Sequence, residues 1–322
     1  MKIKCIDQKL QLRASDIDLF FVVQKDRGEN DSNNKKREEI LCVITNDNKS
    51  GFYDDPTYGH KWTDLKDRFG TFLKTCFEDD DGNMGKSYDE IVVERKGGRT
   101  YNFDFTVRYK KDGQEAYVIK KLEFKKGKSV ESLPQILSIP VGNKEFDILP
   151  QSDLYSRVFY DRYLSDYVKL HEDESIVVPC RQEYEKHIVA VKPATPFFRA
   201  LYDADNRDDI GFKTAKNAIV KTSISEYLAE NVVKERVAFD VVQKKLQDTQ
   251  SGKTFVMWNG KEFVRHAFEA DDFRLTGDLR IARGNTVVFE TVKRGSVSCL
   301  LRWKNRMGVM NPAWQISYSS VK

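Results

Sequence analysis

The chain has 322 residues, 40% apolar and 32% charged, with 54 Lys and Arg against 50 Asp and Glu and a net charge of +4. That is enough apolar material for one large or two ordinary domains. A net charge that small says little about partners, which have to be read from local clusters. The five cysteines, at 5, 42, 76, 180 and 299, include no Cys-x-x-Cys pair. No zinc cluster is readable, and thiols in apolar surroundings point to a reducing, intracellular compartment. With no apolar leader and no apolar run of about 18 residues, a soluble, non-exported protein with no membrane partner is expected.

Residues 1–48 read as strand-rich, because "DLFFVVQK" and "EILCVIT" are short β-branched and aromatic runs. The polar "DRGENDSNNKKRE" between them and the later "NDNKSGFYDDPTYGHK" read as loops. In "WTDLKDRFGTFLKTCF" the residues Trp62, Leu65, Phe69, Phe72, Leu73 and Cys76 recur at helical spacing, with Thr63 or Asp64 as cap. "EDDDGNMGK" (78–86) is an acidic loop without the ligand alternation of an EF-hand. Three strands follow: "DEIVVER", "TYNFDFTVRY" and "QEAYVIKKLEFK". Asp112-Gly113 joins the last two and signals a hairpin.

"SVESLPQILSIP" opens a helix capped by Ser132, with Pro134 in its first turn. "SDLYSRVFYDRYLSDYVKLHE" is a second helix, and "HIVAVK" (187–192) a strand. After "KPATPFF" the character changes: 214–248 is one long helix or two, and 254–319 holds six strand-like runs. The boundary expected near 193–198 gives a strand-rich segment (1–57), a core (58–195) and a C-terminal helix-plus-strand domain (196–322).

The hairpin carries the chemistry. With a two-residue turn, Lys111 pairs with Gln114, and counting back sets Asp104 opposite Lys121 and Asn102 opposite Glu123. Side chains alternate, so Asp104, Lys121, Glu123 and Lys125 share one face, and Phe103, Phe105, Val107, Leu122 and Phe124 share the apolar one. Asp104 and Glu123 are then diagonal neighbours, about 7–8 Å apart at Cα. Two carboxylates that close repel unless a cation lies between them. Mg²⁺ suits such a site, since one or two carboxylates and several waters complete its octahedron. It could activate a water against a phosphodiester, with Lys125 orienting that water or neutralising developing charge. The plainer alternative is a solvated charged face of an antiparallel sheet.

Asp, a gap, then Glu-x-Lys on adjacent strands resembles the active site of the PD-(D/E)xK, or restriction-endonuclease-like, superfamily. The element order over roughly 60–192 is similar to that family's αβββαβ core, an α/β (α+β) fold. By the resemblance, Asp104, Glu123 and the Phe124 carbonyl are ligands of Mg²⁺, for which Mn²⁺ can stand in. Lys125 is the catalytic lysine, and Gln135, on the following helix, supports the phosphate. A further acid on the first helix would be Asp64, Asp67 or Glu78. The implied function is a metal-dependent endonuclease cutting double-stranded DNA, acting as a homodimer where both strands are cut. The alternative is a catalytically inactive nuclease-fold module for DNA binding or assembly. Phe103 stands where the motif's name has Pro, and the second Glu-x-Lys, Glu94 and Lys96, has no matching Asp. "VFYDRYL" and "LLRWKNRMGVMNPAWQIS" are similar to segments of uncharacterised nuclease-like proteins of large DNA viruses, which would place the protein in the cytoplasm or nucleus of an infected cell.

The four histidines (60, 171, 187, 266) lack zinc-hydrolase spacing, and there is no Walker, Rossmann or Gly-x-Ser-x-Gly motif. Basic residues cluster at Lys120-Lys121, at Lys125-Lys126 with Lys128, and at "RWKNR". In the last, Arg302, Lys304 and Arg306 alternate around Trp303. Such a stripe suits phosphate contacts and base stacking, or simply a charged strand edge. Trp258, Trp303 and Trp314 read as core.

Overall fold

A computed structural model describes residues 2–6, 12–21, 30–45, 50–77, 88–96, 101–112, 114–133, 135–172, 176–188, 195–205, 209–303 and 311–320. The chain is mixed α+β, and it forms two units with a sheet in each. Unit 1 comprises Met1–Ser132 and Thr249–Glu269; unit 2 comprises Leu133–Asp248 and Ala270–Lys322. The chain therefore does not divide near 193–198. It leaves unit 1 after the hairpin and returns later to complete the same sheet.

Unit 1 is built from β1 (Lys2–Ile6), α1 (Asp18–Phe21), α2 (Asn30–Ile44), α3 (Ser50–Tyr53), α4 (Gly59–Thr75), β2 (Glu90–Arg95), β3 (Phe105–Lys111) and β4 (Gln114–Lys126). The returning segment adds two strands, which follow β5 (Leu137–Pro140) of unit 2 in the chain: β6 (Thr254–Trp258) and β7 (Phe263–Ala267). The sheet order is β1-β2-β3-β4-β6-β7. β1 lies parallel to β2 and β4 parallel to β6, while the other neighbours are antiparallel.

Alternation in the strands explains the core. Ile91 and Val93, then Phe105, Val107 and Tyr109, then Leu122 and Phe124 point to one side, where they meet α2 and α4. The helical spacing read in α4 is realised, with Trp62, Leu65, Phe69, Phe72 and Leu73 all buried. The helix begins earlier than its expected cap, at Gly59, where a Cβ would collide with the Tyr53 carbonyl oxygen.

The N-terminal segment differs from expectation. "EILCVIT" is the second half of helix α2, Asp18–Phe21 is a helical turn, and the polar run ahead of "EILCVIT" supplies the front of α2. Ile40 to Ile44 are all buried, and an unbroken apolar run carries no periodicity to separate a strand from a buried helix end. Part of the second expected loop is the single turn α3. The 78–86 loop lies outside the described residues.

Unit 2 contains helices α5 (Tyr155–Arg162), α6 (Leu164–Lys169), α7 (Arg181–His187), α8 (Pro196–Asp205), α9 (Ile210–Asn231) and most of α10 (Phe239–Gln250). Its antiparallel sheet has order β5-β11-β10-β9-β8, with β8 (Leu275–Ala282), β9 (Thr286–Thr291), β10 (Ser296–Trp303) and β11 (Pro312–Ser319). All six strands expected between 254 and 319 form, two in unit 1 and four here. The expected helix at "SVESLPQILSIP" does not: a 3-10 turn at Val130–Ser132 leads to strand β5, because Leu137–Ile139 find an open edge on β11. The helix expected after Ser152 breaks in two at Tyr163. "HIVAVK" is no strand at its start, since His187 ends α7; residues 189–192 lie outside the described residues.

Candidate functional site

The hairpin register is not the one that simple counting gives. Lys111 does pair with Gln114, but an irregularity between Tyr109 and Lys111 then shifts the ladder. Tyr109 meets Val118, Thr106 meets Lys121 and Phe105 meets Leu122. Thr106, not Asp104, therefore faces Lys121. The slip is two residues, and an even slip keeps every side chain on its face. It moves Asp104 along to the level of Glu123. The Asp104 N–H donates to the Leu122 carbonyl at 2.8 Å, and its Oδ2 accepts from the Phe124 N–H at 2.8 Å. Asp104 thus closes the open end of the β3–β4 ladder.

Glu123 is the hub of the charged cluster. Its side chain is 10% exposed. Lys125 Nζ lies 2.6 Å from its Oε1, and Lys253 Nζ donates to its Oε2. Lys253 precedes β6, the parallel neighbour of β4, and its Nζ also donates to the Asn102 carbonyl at 3.0 Å. Glu38 comes in from α2, held at 3.2 Å by Arg95 of β2, which also reaches Glu39 at 3.3 Å.

The charges act on one another. Burial raises the Asp104 carboxyl above the usual range, and Glu123 adds to this; Lys125, the Phe124 N–H and Lys253 pull it down only in part. Burial, then the charge of Asp104, pushes Glu38 up to about 7 against the pull of Arg95 and Lys125. For Lys125 burial works downward, but Glu123, Asp104 and Glu38 outweigh it and leave its pKa raised. For Lys253 burial wins over Glu123, and its pKa is lowered. Three carboxylates and two lysines from four elements therefore share one electrostatic environment.

Comparison with protein-family models, curated proteins and solved structures found no match.

Among the described residues no three His, Cys, Asp or Glu side chains make a ready-formed metal-binding group. A hard dication held by two carboxylates and water still suits the donors present. Asp104 Oδ1 has no hydrogen-bond partner among the described residues, and Asp104 and Glu38 are both raised in a way that nearby positive charge would relieve. A strand residue's N–H and C=O point the same way, so the Phe124 carbonyl faces the flank where Asp104 sits. Binding at Glu123 would require one lysine to yield.

The other sequence candidates fall elsewhere. Gln135 is exposed, in unit 2, on the extended approach to β5 rather than on a helix. Asp64 pairs with Arg68 of its own helix at 2.8 Å, and Asp67 is exposed on α4. Glu78 lies outside the described residues. Glu94 pairs with Lys96 at 2.5 Å and with Arg108 at 3.0 Å. Arg302 is exposed on β10 and bonds Gln315 at 2.9 Å; Lys304 and Arg306 lie outside the described residues. Trp303 is 5% exposed and donates to Tyr155 Oη at 3.0 Å, so it is unavailable for base stacking. Trp258 and Trp314 are buried, as expected.

Glu38, Arg95 and Lys253 escaped the sequence reading. Glu38 ends the polar run that reads as a loop ahead of "EILCVIT". The only local hint of Lys253 is a Gly-Lys step before an apolar strand.

Proposed function

We propose that the chain is a metal-dependent deoxyribonuclease of the restriction-endonuclease-like kind, with its reaction centre at the end of the β3–β4 hairpin. One observation carries this reading: Asp104, Glu123 and Lys125 lie in one partly buried cluster joined by a helix acid, Glu38. A sheet that needed only a solvated face would not bury three like charges, because each loses hydration and raises its neighbours.

Asp104 and Glu123, with the Phe124 carbonyl, would hold Mg²⁺ or Mn²⁺; Glu38 is the helix acid in place of Asp64, Asp67 or Glu78. A bound dication supplies Lewis acidity and a more acidic water. Lys125, 31% exposed and kept protonated by its acidic neighbours, would leave Glu123 to meet a phosphate oxygen and stabilise its growing charge. Glu38, near neutrality, can exchange a proton in the same environment. Double-stranded DNA is the proposed substrate, and a homodimer the proposed assembly for cutting both strands. Among the described residues no helix is long and apolar enough to cross a membrane.

The test is incubation of wild type, Asp104→Asn and Lys125→Met with mixed-sequence duplex DNA, in Mg²⁺, Mn²⁺ or EDTA. Cleavage by the wild type alone, abolished by EDTA, is expected, with DNA binding kept in both variants. Intact DNA throughout refutes the nuclease reading. It would favour a second one, a silent DNA-binding module, for which the observation is that lysines hold both Glu123 oxygens. That module would bind DNA with a steep salt dependence and ignore the metal.

A further inference from the structure

The lysine that the reaction scheme leaves unused is the more deeply buried of the two. Lys125 keeps 31% of its side chain exposed, Lys253 only 2%. Burying an ammonium is costly unless every donor direction is used. Lys253 uses its directions on two segments at once: Glu123 Oε2 on β4, and the carbonyl of Asn102, two residues ahead of Asp104 on the approach to β3. Asn102 is held again from the same segment, its Nδ2 donating to the Thr249 carbonyl at 2.8 Å. The Lys253 ammonium also lies 5.0 Å from the Phe255 ring centroid. A single buried cation thus ties the approach to Asp104 and the Glu123 carboxylate to the segment that re-enters unit 1.

We propose that Lys253 is a positioning residue that fixes Glu123 and the Asp104 approach from inside the sheet, leaving Lys125 free to leave Glu123 for a phosphate. The proposal rests on the nuclease reading for its consequence, though not for its geometry. With Lys253 in place, Glu123 keeps a bonded cation when Lys125 moves. Without it, Lys125 becomes the only lysine on Glu123, and it is pinned there. Lys253 touches no substrate; it acts through Glu123 and the Asn102 backbone. The site would then be complete only when Thr249–Glu269 has joined the sheet.

The experiment has two readouts. The first is the lysine side-chain ammonium spectrum of ¹⁵N-labelled, metal-free protein, where exchange with water hides exposed ammonium groups. A protected signal is expected in wild type and Lys125→Met, and lost in Glu123→Gln and Lys253→Met. The second is DNA cleavage. Lys253→Met should lower the rate at saturating DNA at least tenfold with the half-saturating DNA concentration unchanged, and Lys253→Arg should recover part of it. If Lys253→Met does not fold, Lys253→Arg carries the cleavage readout, with a rate below wild type, and Lys253→Arg and Glu123→Gln carry the ammonium readout, each losing the protected signal. A folded Lys253→Met that cuts at the wild-type rate, or no protected signal dependent on Glu123, overturns the proposal. A wild type that cuts nothing refutes the nuclease reading alone, and the ammonium signal then decides on Lys253.

Discussion

Replacing Glu38 with Gln puts the electrostatics of the cluster to a quantitative test. The Glu38 carboxyl, ordinarily near 4.5, is pushed up to about 7, first by burial and then by the charge of Asp104. Between those values the folded protein holds a proton that the unfolded chain has released. The associated stabilisation is full below 4.5 and lost as pH rises through 7. At about 1.4 kcal/mol per pH unit, the gap is worth about 3 kcal/mol. The side chain is only 15% exposed, so solvent screening removes little of this. Gln never ionises. Glu38→Gln should therefore be close to wild type at pH 4 and more stable by about 3 kcal/mol at pH 8. Urea unfolding of both proteins in metal-free buffer from pH 4 to 8, followed by tryptophan fluorescence, measures the difference. Curves that stay parallel within about 0.5 kcal/mol would refute the reasoning. A dication at the neighbouring carboxylates would hold Glu38 ionised, so millimolar Mg²⁺ should shrink the gap.

Phe20 packs edge-on against Trp258 at 5.8 Å and lies 5.6 Å from Phe124; Phe20→Ala should cost about 3–5 kcal/mol in chemical unfolding. Gly59→Ala should destabilise α4, because the new Cβ meets the Tyr53 carbonyl oxygen, and should lower the thermal midpoint by several degrees. Trp303→Phe removes the donor to Tyr155 Oη and should cost about 1 kcal/mol. Its DNA affinity, measured by salt titration, should not change, whereas a Trp that stacks on bases would lose about 1–3 kcal/mol per base.

Much of the site was legible for a simple reason. Alternation fixes which face a strand residue takes, and the register slip at Tyr109 is even, so Asp104, Glu123 and Lys125 kept their side while their partners changed. Helix α4 and strand β10 were legible because each has one buried face, and burial of one face writes its own period into the sequence, whereas β6, buried at every position, was legible as a short apolar run. Sequence could not reach what depends on contacts between distant segments. α2 was misread because its buried end has no period. Gln135 was misplaced because an open edge on β11 drew its neighbours into a strand. Glu38 and Lys253 reach the hairpin only through tertiary packing, one on a helix laid against the sheet and the other just ahead of β6, the strand that pairs with β4 after the chain has built most of a second unit. Local sequence set Asp104, Glu123 and the half-buried Lys125 on one face of the hairpin. The tertiary structure supplied the third acid and the buried counter-charge, because neither leaves a trace until distant parts of the chain share one low-dielectric site.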